Sequence, residues 1–182
     1  MDTRSSTHTD GRDGGDGLPD ELRLRLPERD PAALEAFFDA YFDRVYGFVR
    51  RLVRDEHLAE DMTQDVFLHV QRALPSYDTA RALRPWVFTI ATNKLRDHWR
   101  SRRHRDTLSD ESVERDGAAL QLASLAPTPD AELSELELVG WLRDAVDQLP
   151  DGMRVTVLLR VYEGMSFEAI GEVVGRSEVA VR

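Results

Sequence analysis

The sequence predicts an all-α protein of two small helical domains joined by a flexible acidic linker. Three observations carry that prediction. Apolar residues recur at intervals of three and four along most of the chain from Asp30 to Arg105, the period of amphipathic helices. The pattern dissolves between Asp106 and Ser134 into Asp, Glu, Ser and Ala with two prolines, a composition that favours a linker. From Leu136 the helical period returns, and it ends in the spacing of two helices that meet at a tight turn. The expected organisation is a disordered tail over 1–26, a unit of three to four helices over 27–106, a linker over 107–135 and a second helical unit over 136–182.

The tail contains Gly11-Arg-Asp-Gly-Gly-Asp-Gly and has almost no apolar residue before Asp20. Asp30-Pro31 then starts a helix, because Asp caps free N–H groups and Pro at the first helical position loses no hydrogen bond. Leu34, Phe37, Phe38, Tyr41, Val45, Phe48, Val49 and Leu52 carry this helix to about Arg54, and its aromatic stripe is read as core. A second helix is expected from His57 to Leu74, stopped by Pro75. Its inner face holds Leu58, Met62, Val66, Phe67, Val70 and Leu74. Its outer face holds Glu60, Asp61, Gln64, Asp65, Leu68 and Gln71. Leu68 stands alone on that acidic and amide face, as an apolar residue does where a protein partner docks, although single exposed leucines are common. Residues 76–83 read as a loop.

Arg84-Pro85 opens the third helix. Trp86, Val87, Ile90, Ala91 and Leu95 form its apolar stripe, and Asn93, Arg96, Arg100 and Arg103 recur on the opposite side. Six Lys and Arg fall between residues 94 and 105, more than the dipole of a helix end requires. This block stands out because the net charge is -10 and the acidity sits mostly in the tail and the linker. Arg and Asn on one helix face are the side chains that reach phosphates and base edges. Nucleic-acid contact is therefore expected here.

The second unit opens with a helix marked by Leu136, Val139, Leu142, Val146 and Leu149 and ended by Pro150. Another carries Val155, Leu158, Leu159 and Tyr162, with Gly164 closing it. Counted from Phe167, Ile170 is fourth, Gly171 fifth, Val174 eighth, Gly175 ninth and Val181 fifteenth. That is helix-turn-helix spacing: a small fifth residue lets the helices approach, Gly at nine makes the turn, and the apolar positions pack the pair. Arg176 at ten departs from the usual apolar residue. Ser177 caps a recognition helix of barely one turn before Arg182, so truncation of that helix is expected.

The chain has no cysteine, which excludes disulfides and thiolate metal sites. It has no apolar run of membrane-spanning length and no signal-peptide core, so a soluble cytoplasmic protein without membrane insertion is expected. His57, Asp61, Asp65 and His69 fall at intervals of four, the spacing of a metal stripe. A di-metal bundle needs matching ligands on several helices, and none supplies them. The stripe is read as a solvated, partner-facing edge. No glycine-rich phosphate loop and no paired nucleophile and base are present, so neither a metal, a cofactor nor an enzymatic activity is expected.

Three segments resemble the sigma-70 family of bacterial RNA polymerase initiation factors, in particular its extracytoplasmic-function (ECF) branch. Ala59-Glu-Asp-Met-Thr-Gln-Asp-Val-Phe-Leu-His-Val is similar to the family's polymerase-binding helix. Arg84-Pro-Trp-Val-Phe-Thr-Ile-Ala-Thr-Asn-Lys-Leu-Arg-Asp-His-Trp-Arg resembles its helix for melting and reading the -10 element. Leu149-Pro-Asp-Gly-Met-Arg-Val-Thr-Val-Leu-Leu-Arg-Val-Tyr-Glu-Gly-Met-Ser-Phe-Glu-Ala-Ile-Gly resembles the start of its -35-reading domain. The resemblance implies that Asp61, Gln64, Asp65 and Leu68 dock on the clamp helices of the core polymerase β′ subunit. It implies that Asn93, Lys94, Arg96, Arg100 and Arg103 meet the -10 region of promoter DNA. Tyr77 and Asp78 would hold an unstacked base, and Ser177 and Arg182 would meet the -35 region. Tyr77, Trp86, Phe88 and Trp99 are the few aromatics near the melting site. An anti-sigma factor is a common partner in this family. The alternative is a helix-turn-helix regulator that works without polymerase core, which leaves the basic helix and the Leu68 face unexplained.

Overall fold

A computed structural model describes residues 17–108 and 144–182. Within them the chain forms seven α-helices and no strand: α1 Asp20–Arg25, α2 Pro31–Val53, α3 Glu56–Ala73, α4 Leu83–Leu108, α5 Asp151–Val161, α6 Phe167–Val174 and α7 Glu178–Val181. The expected linker lies almost wholly outside the described residues, as does most of the helix expected before Pro150, of which 144–147 are helical.

The helix ends follow from local chemistry. Asp30 accepts a hydrogen bond from the Ala33 N–H at 3.0 Å with Pro31 behind it, and Asp55 does the same for Leu58 at 2.9 Å. Between α2 and α3 the chain turns on Arg54, held at φ 62°. Pro75 does not cut α3 abruptly; Leu74–Ser76 tighten into a 3-10 turn.

α2, α3 and α4 pack around Phe37, Tyr41, Val45, Val66, Val70, Val87, Ala91 and Leu95, all buried. Phe48 meets Phe88 edge-on, with ring centroids 5.2 Å apart. Each such side chain contributes roughly 1.5–3 kcal/mol by leaving water. Phe88 is thereby sealed in the core and is not an aromatic of the melting surface. Phe38 departs the other way: it was expected in the core stripe and is about half exposed.

Two larger differences concern organisation. The last ten residues assigned to the tail are structured: α1 lies there, and Leu18 and Leu26 are buried against the first unit. That stretch has only four leucines and less than two turns of helix, too little periodicity to register in a sequence window. The second difference is that the two units share one apolar cluster. α6 lies along α4 and α5 touches α2, so Met165, Ile170, Val173 and Val174 extend the core built by the first unit.

Candidate nucleic-acid and partner interface

α3 presents Asp61, Gln64, Asp65 and Leu68 together on its outer face, all exposed, with Leu68 49% accessible. Beside them α2 and α3 enclose a groove of about 920 Å³. Phe38, Phe42, Tyr46 and Phe67 line it, with Phe38 stacked on Phe42 at 4.8 Å and tilted against Phe67 at 5.2 Å. Glu60 and Asp43 stand at its rim. Sequence reasoning missed the groove, although a signal existed. Phe38, Phe42 and Tyr46 repeat at intervals of four, and Phe37 and Phe38, adjacent on a helix, cannot share one face.

The basic face of α4 is adjacent. Lys94 Nζ lies 4.0 Å from Asp65 Oδ2 and so marks the border between the two surfaces. Asn93 and Arg100 are exposed, and Arg100 makes only a 3.4 Å surface pair with Asp97, an interaction worth little in water. Arg96 and Arg103 are engaged elsewhere. Arg96 is half-buried and donates from Nη2 to the Val174 carbonyl at 2.8 Å, while Arg103 donates to Asp151 at 3.2 Å. Both acceptors belong to the second unit; its contact holds Arg96 partly away from solvent, whereas Arg103 stays exposed, its side chain 64% accessible, as the sequence suggested.

Tyr77 requires a correction. It is 4% exposed, its ring lies 4.7 Å from that of Trp86, and its hydroxyl donates to the Arg81 carbonyl at 2.6 Å. It is a strut of the loop and cannot stack on a base in this conformation. Asp78 is exposed, with Oδ1 accepting the Ala80 N–H at 2.9 Å. The loop is pinned from α1, where Arg23 donates to the Thr79 carbonyl at 2.5 Å. The Tyr77 hydroxyl and Asp20 raise the Arg23 pKa further. On α4, burial and the neighbouring charges of Arg102 and Arg105 lower the His98 pKa, which keeps the imidazole neutral.

In the second unit Ser177 caps α7 through the Ala180 N–H, and Arg182 pairs with Glu178 at 2.8 Å with its guanidinium over the Phe167 ring. The turn is built as its spacing required. Gly175 adopts φ 69°, and a Cβ on Gly171 would lie 2.7 Å from the Arg176 carbonyl oxygen. Among the described residues no three His, Asp or Glu side chains converge on a point.

Residues 37–105 match the family model for Sigma-70 region 2, and residues 140–182 match that for Sigma-70, region 4. The chain is 39% identical over 150 residues to RNA polymerase sigma factor CarQ of Myxococcus xanthus, covering 82% of this chain and 81% of that one. It belongs to the sigma-70 family, in its ECF branch. ECF RNA polymerase sigma factor SigK of Mycobacterium sp. (strain KMS) is 33% identical over 157 residues, 84% of this chain and 77% of its own length. The fold agrees with that of CnrH solved with the cytosolic domain of CnrY: TM-score 0.62 at 23% identity, over 89% of this chain and 86% of that one. RpoE solved with the anti-sigma factor NepR from Bartonella quintana gives 0.60 at 20%, over 81% and 86%. The function of this sigma factor is to direct RNA polymerase to promoters, and no relative favours a regulator acting without the polymerase. No helix among the described residues is long and apolar enough to cross a membrane.

Proposed function

We propose that this sigma factor holds core polymerase with the outer face of α3 and meets the promoter -10 element with α4. Asp61, Gln64, Asp65 and Leu68 dock on the β′ clamp helices, with the aromatic groove beside Leu68 extending that surface. Asn93, Lys94, Arg100 and Arg103 contact the -10 region directly, Asp78 borders the captured strand, and Arg96 joins them once released from the second unit. Tyr77 supports the loop and does not hold a base. Ser177 and Arg182 stand nearest to -35 DNA. The chain works in the cytoplasm and performs no covalent chemistry. Binding of the opened strand offsets the few kcal/mol that each unstacked step costs. An anti-sigma factor, such as the NepR bound to RpoE, would compete for these faces.

The observation that supports this reading is the juxtaposition of two chemically opposite exposed faces on neighbouring helices, with Lys94 and Asp65 at their border. Pull-down with core polymerase and run-off transcription on a promoter library test it. Asp61→Arg or Leu68→Glu should weaken core binding about tenfold or more, the effect of losing 1–2 kcal/mol at an interface. Arg96→Ala with Arg100→Ala should leave core binding intact and lower promoter opening. If both pairs of variants fail in the same assay, the two faces do not divide the work in this way.

A further inference from the structure

The contact between the two units has a consistent polarity. Arg44 donates from Nε and Nη2 to Glu163 Oε2 at 3.0 and 2.7 Å. Arg84, 6% exposed, donates to the main-chain oxygen of the same residue at 3.1 Å. Arg54 pairs with Asp147 at 2.5 Å, Arg103 with Asp151, and Arg96 with the Val174 carbonyl. The Arg51 guanidinium lies 4.1 Å from the centroid of the Tyr162 ring. In each of these contacts the cation stands on the first unit and the acceptor on the second. Two of the cations, Arg96 and Arg103, lie on the basic face of α4, so the second unit offers them oxygens where nucleic acid would offer phosphates.

Glu163 is the residue in which these contacts converge. It directly follows α5 and the turn at Tyr162, and its side chain is 6% exposed in the joint between the units. A carboxylate that deep is tolerated only with good partners. Here its charge is met by a two-pronged guanidinium, and its carbonyl by a second arginine. We infer that Glu163, gripped by Arg44 and Arg84, is an intramolecular clasp that holds the second unit against α4 and must release before Arg96 reaches promoter DNA. Geometry requires such a release. Elements named for positions -10 and -35 lie about 25 base pairs apart, roughly 85 Å of duplex at about 3.4 Å per base pair. In the closed arrangement the helix-turn-helix carbonyl at Val174 is within 2.8 Å of Arg96 on the -10 helix. One molecule cannot read both elements in that state. Its affinity for DNA is then reduced by the fraction of chains that are open.

The occlusion of DNA rests on the assignment of Arg96 to the promoter; the closure itself does not. The experiment reads them separately. Because the chain has no cysteine, Glu35→Cys and Val179→Cys give two unique labelling sites for energy transfer between dyes on the full chain. The free protein should show one high-transfer population. Glu163→Gln, which removes the charge and keeps the shape, should shift it to lower transfer. Raising the salt from about 0.1 to 1 M, which shortens the screening length from about 10 to 3 Å, should do the same. At fixed low salt, a mixed-sequence single-stranded 20-mer should bind Glu163→Gln about tenfold more tightly than wild type if nine chains in ten were closed. Arg96→Ala in the Glu163→Gln background should remove part of that gain. Helix content by circular dichroism verifies folding, and if Glu163→Gln unfolds the second unit, Arg44→Gln breaks the clasp from the other side. Unchanged transfer in a folded Glu163→Gln or Arg44→Gln chain overturns the clasp. Opening with no gain in 20-mer binding overturns the occlusion, and points to the assignment of Arg96 and not to the closure.

Discussion

His98 shows how a single side chain links the basic helix to pH. It is half-buried on α4, and burial with Arg102 and Arg105 nearby lowers its pKa below the ordinary 6.5. The folded protein therefore keeps the imidazole neutral at a pH where the unfolded chain has begun to protonate it. Between the lowered value and 6.5 the unfolded state binds more protons, so stability rises with pH in that window. The contribution is fully present above about 6.5 and is lost as the pH falls toward the folded value. Thermal melts of wild type and His98→Gln at pH 8 and pH 5 measure it. The wild type should lose more stability on acidification than the variant does, and equal losses would remove His98 as the cause. Tyr77 teaches a different lesson about single residues. The family resemblance implied a base-holding ring, and its burial against Trp86 was invisible because that contact depends on how α1 and Arg23 brace the loop.

Helices were the most legible part of the chain. The caps expected at Asp30 and Ser177 accept the hydrogen bonds that their positions implied, and Asp55 and Ser166 cap their helices in the same way. Where a helix had two apolar stripes, as α2 does with Phe37-Tyr41 and Phe38-Phe42-Tyr46, periodicity alone merged them and hid the groove. The turn between α6 and α7 is the clearest case of spacing becoming geometry. In Gly171→Ala the new methyl meets a main-chain oxygen at 2.7 Å, which cannot rotate away as a side chain would. Helix propensity favours Ala over Gly by about 1 kcal/mol. Overpacking of a close backbone contact costs about 1–3 kcal/mol, so the steric term should win. The variant should lose about 1 kcal/mol by denaturant titration, the middle of the net of those two terms. Gly171→Ser should lose at least as much. A neutral or stabilised Gly171→Ala would mean that α7 tilts freely on α6.

The two units fold on each other through one shared apolar cluster. The second unit is described over residues 144–182 and completes its core with residues of α4. This arrangement was not legible in the sequence. The acidic linker suggested independent domains, and nothing in the local pattern links Glu163 to Arg44, 119 positions away. Sharing one core makes the closed molecule cooperative: neither unit unfolds without exposing the other's apolar surface. Calorimetry at low salt should therefore give a single unfolding transition. Screening the arginine contacts with about 1 M salt, or removing the Glu163 charge, should resolve a second, lower-temperature transition that belongs to the smaller unit. Its assignment is checked with Gly171→Ala, which should lower only that transition once the two are separate. A molecule that melts in two steps at low salt as well would show that the shared apolar surface couples the units too weakly to make them one cooperative body.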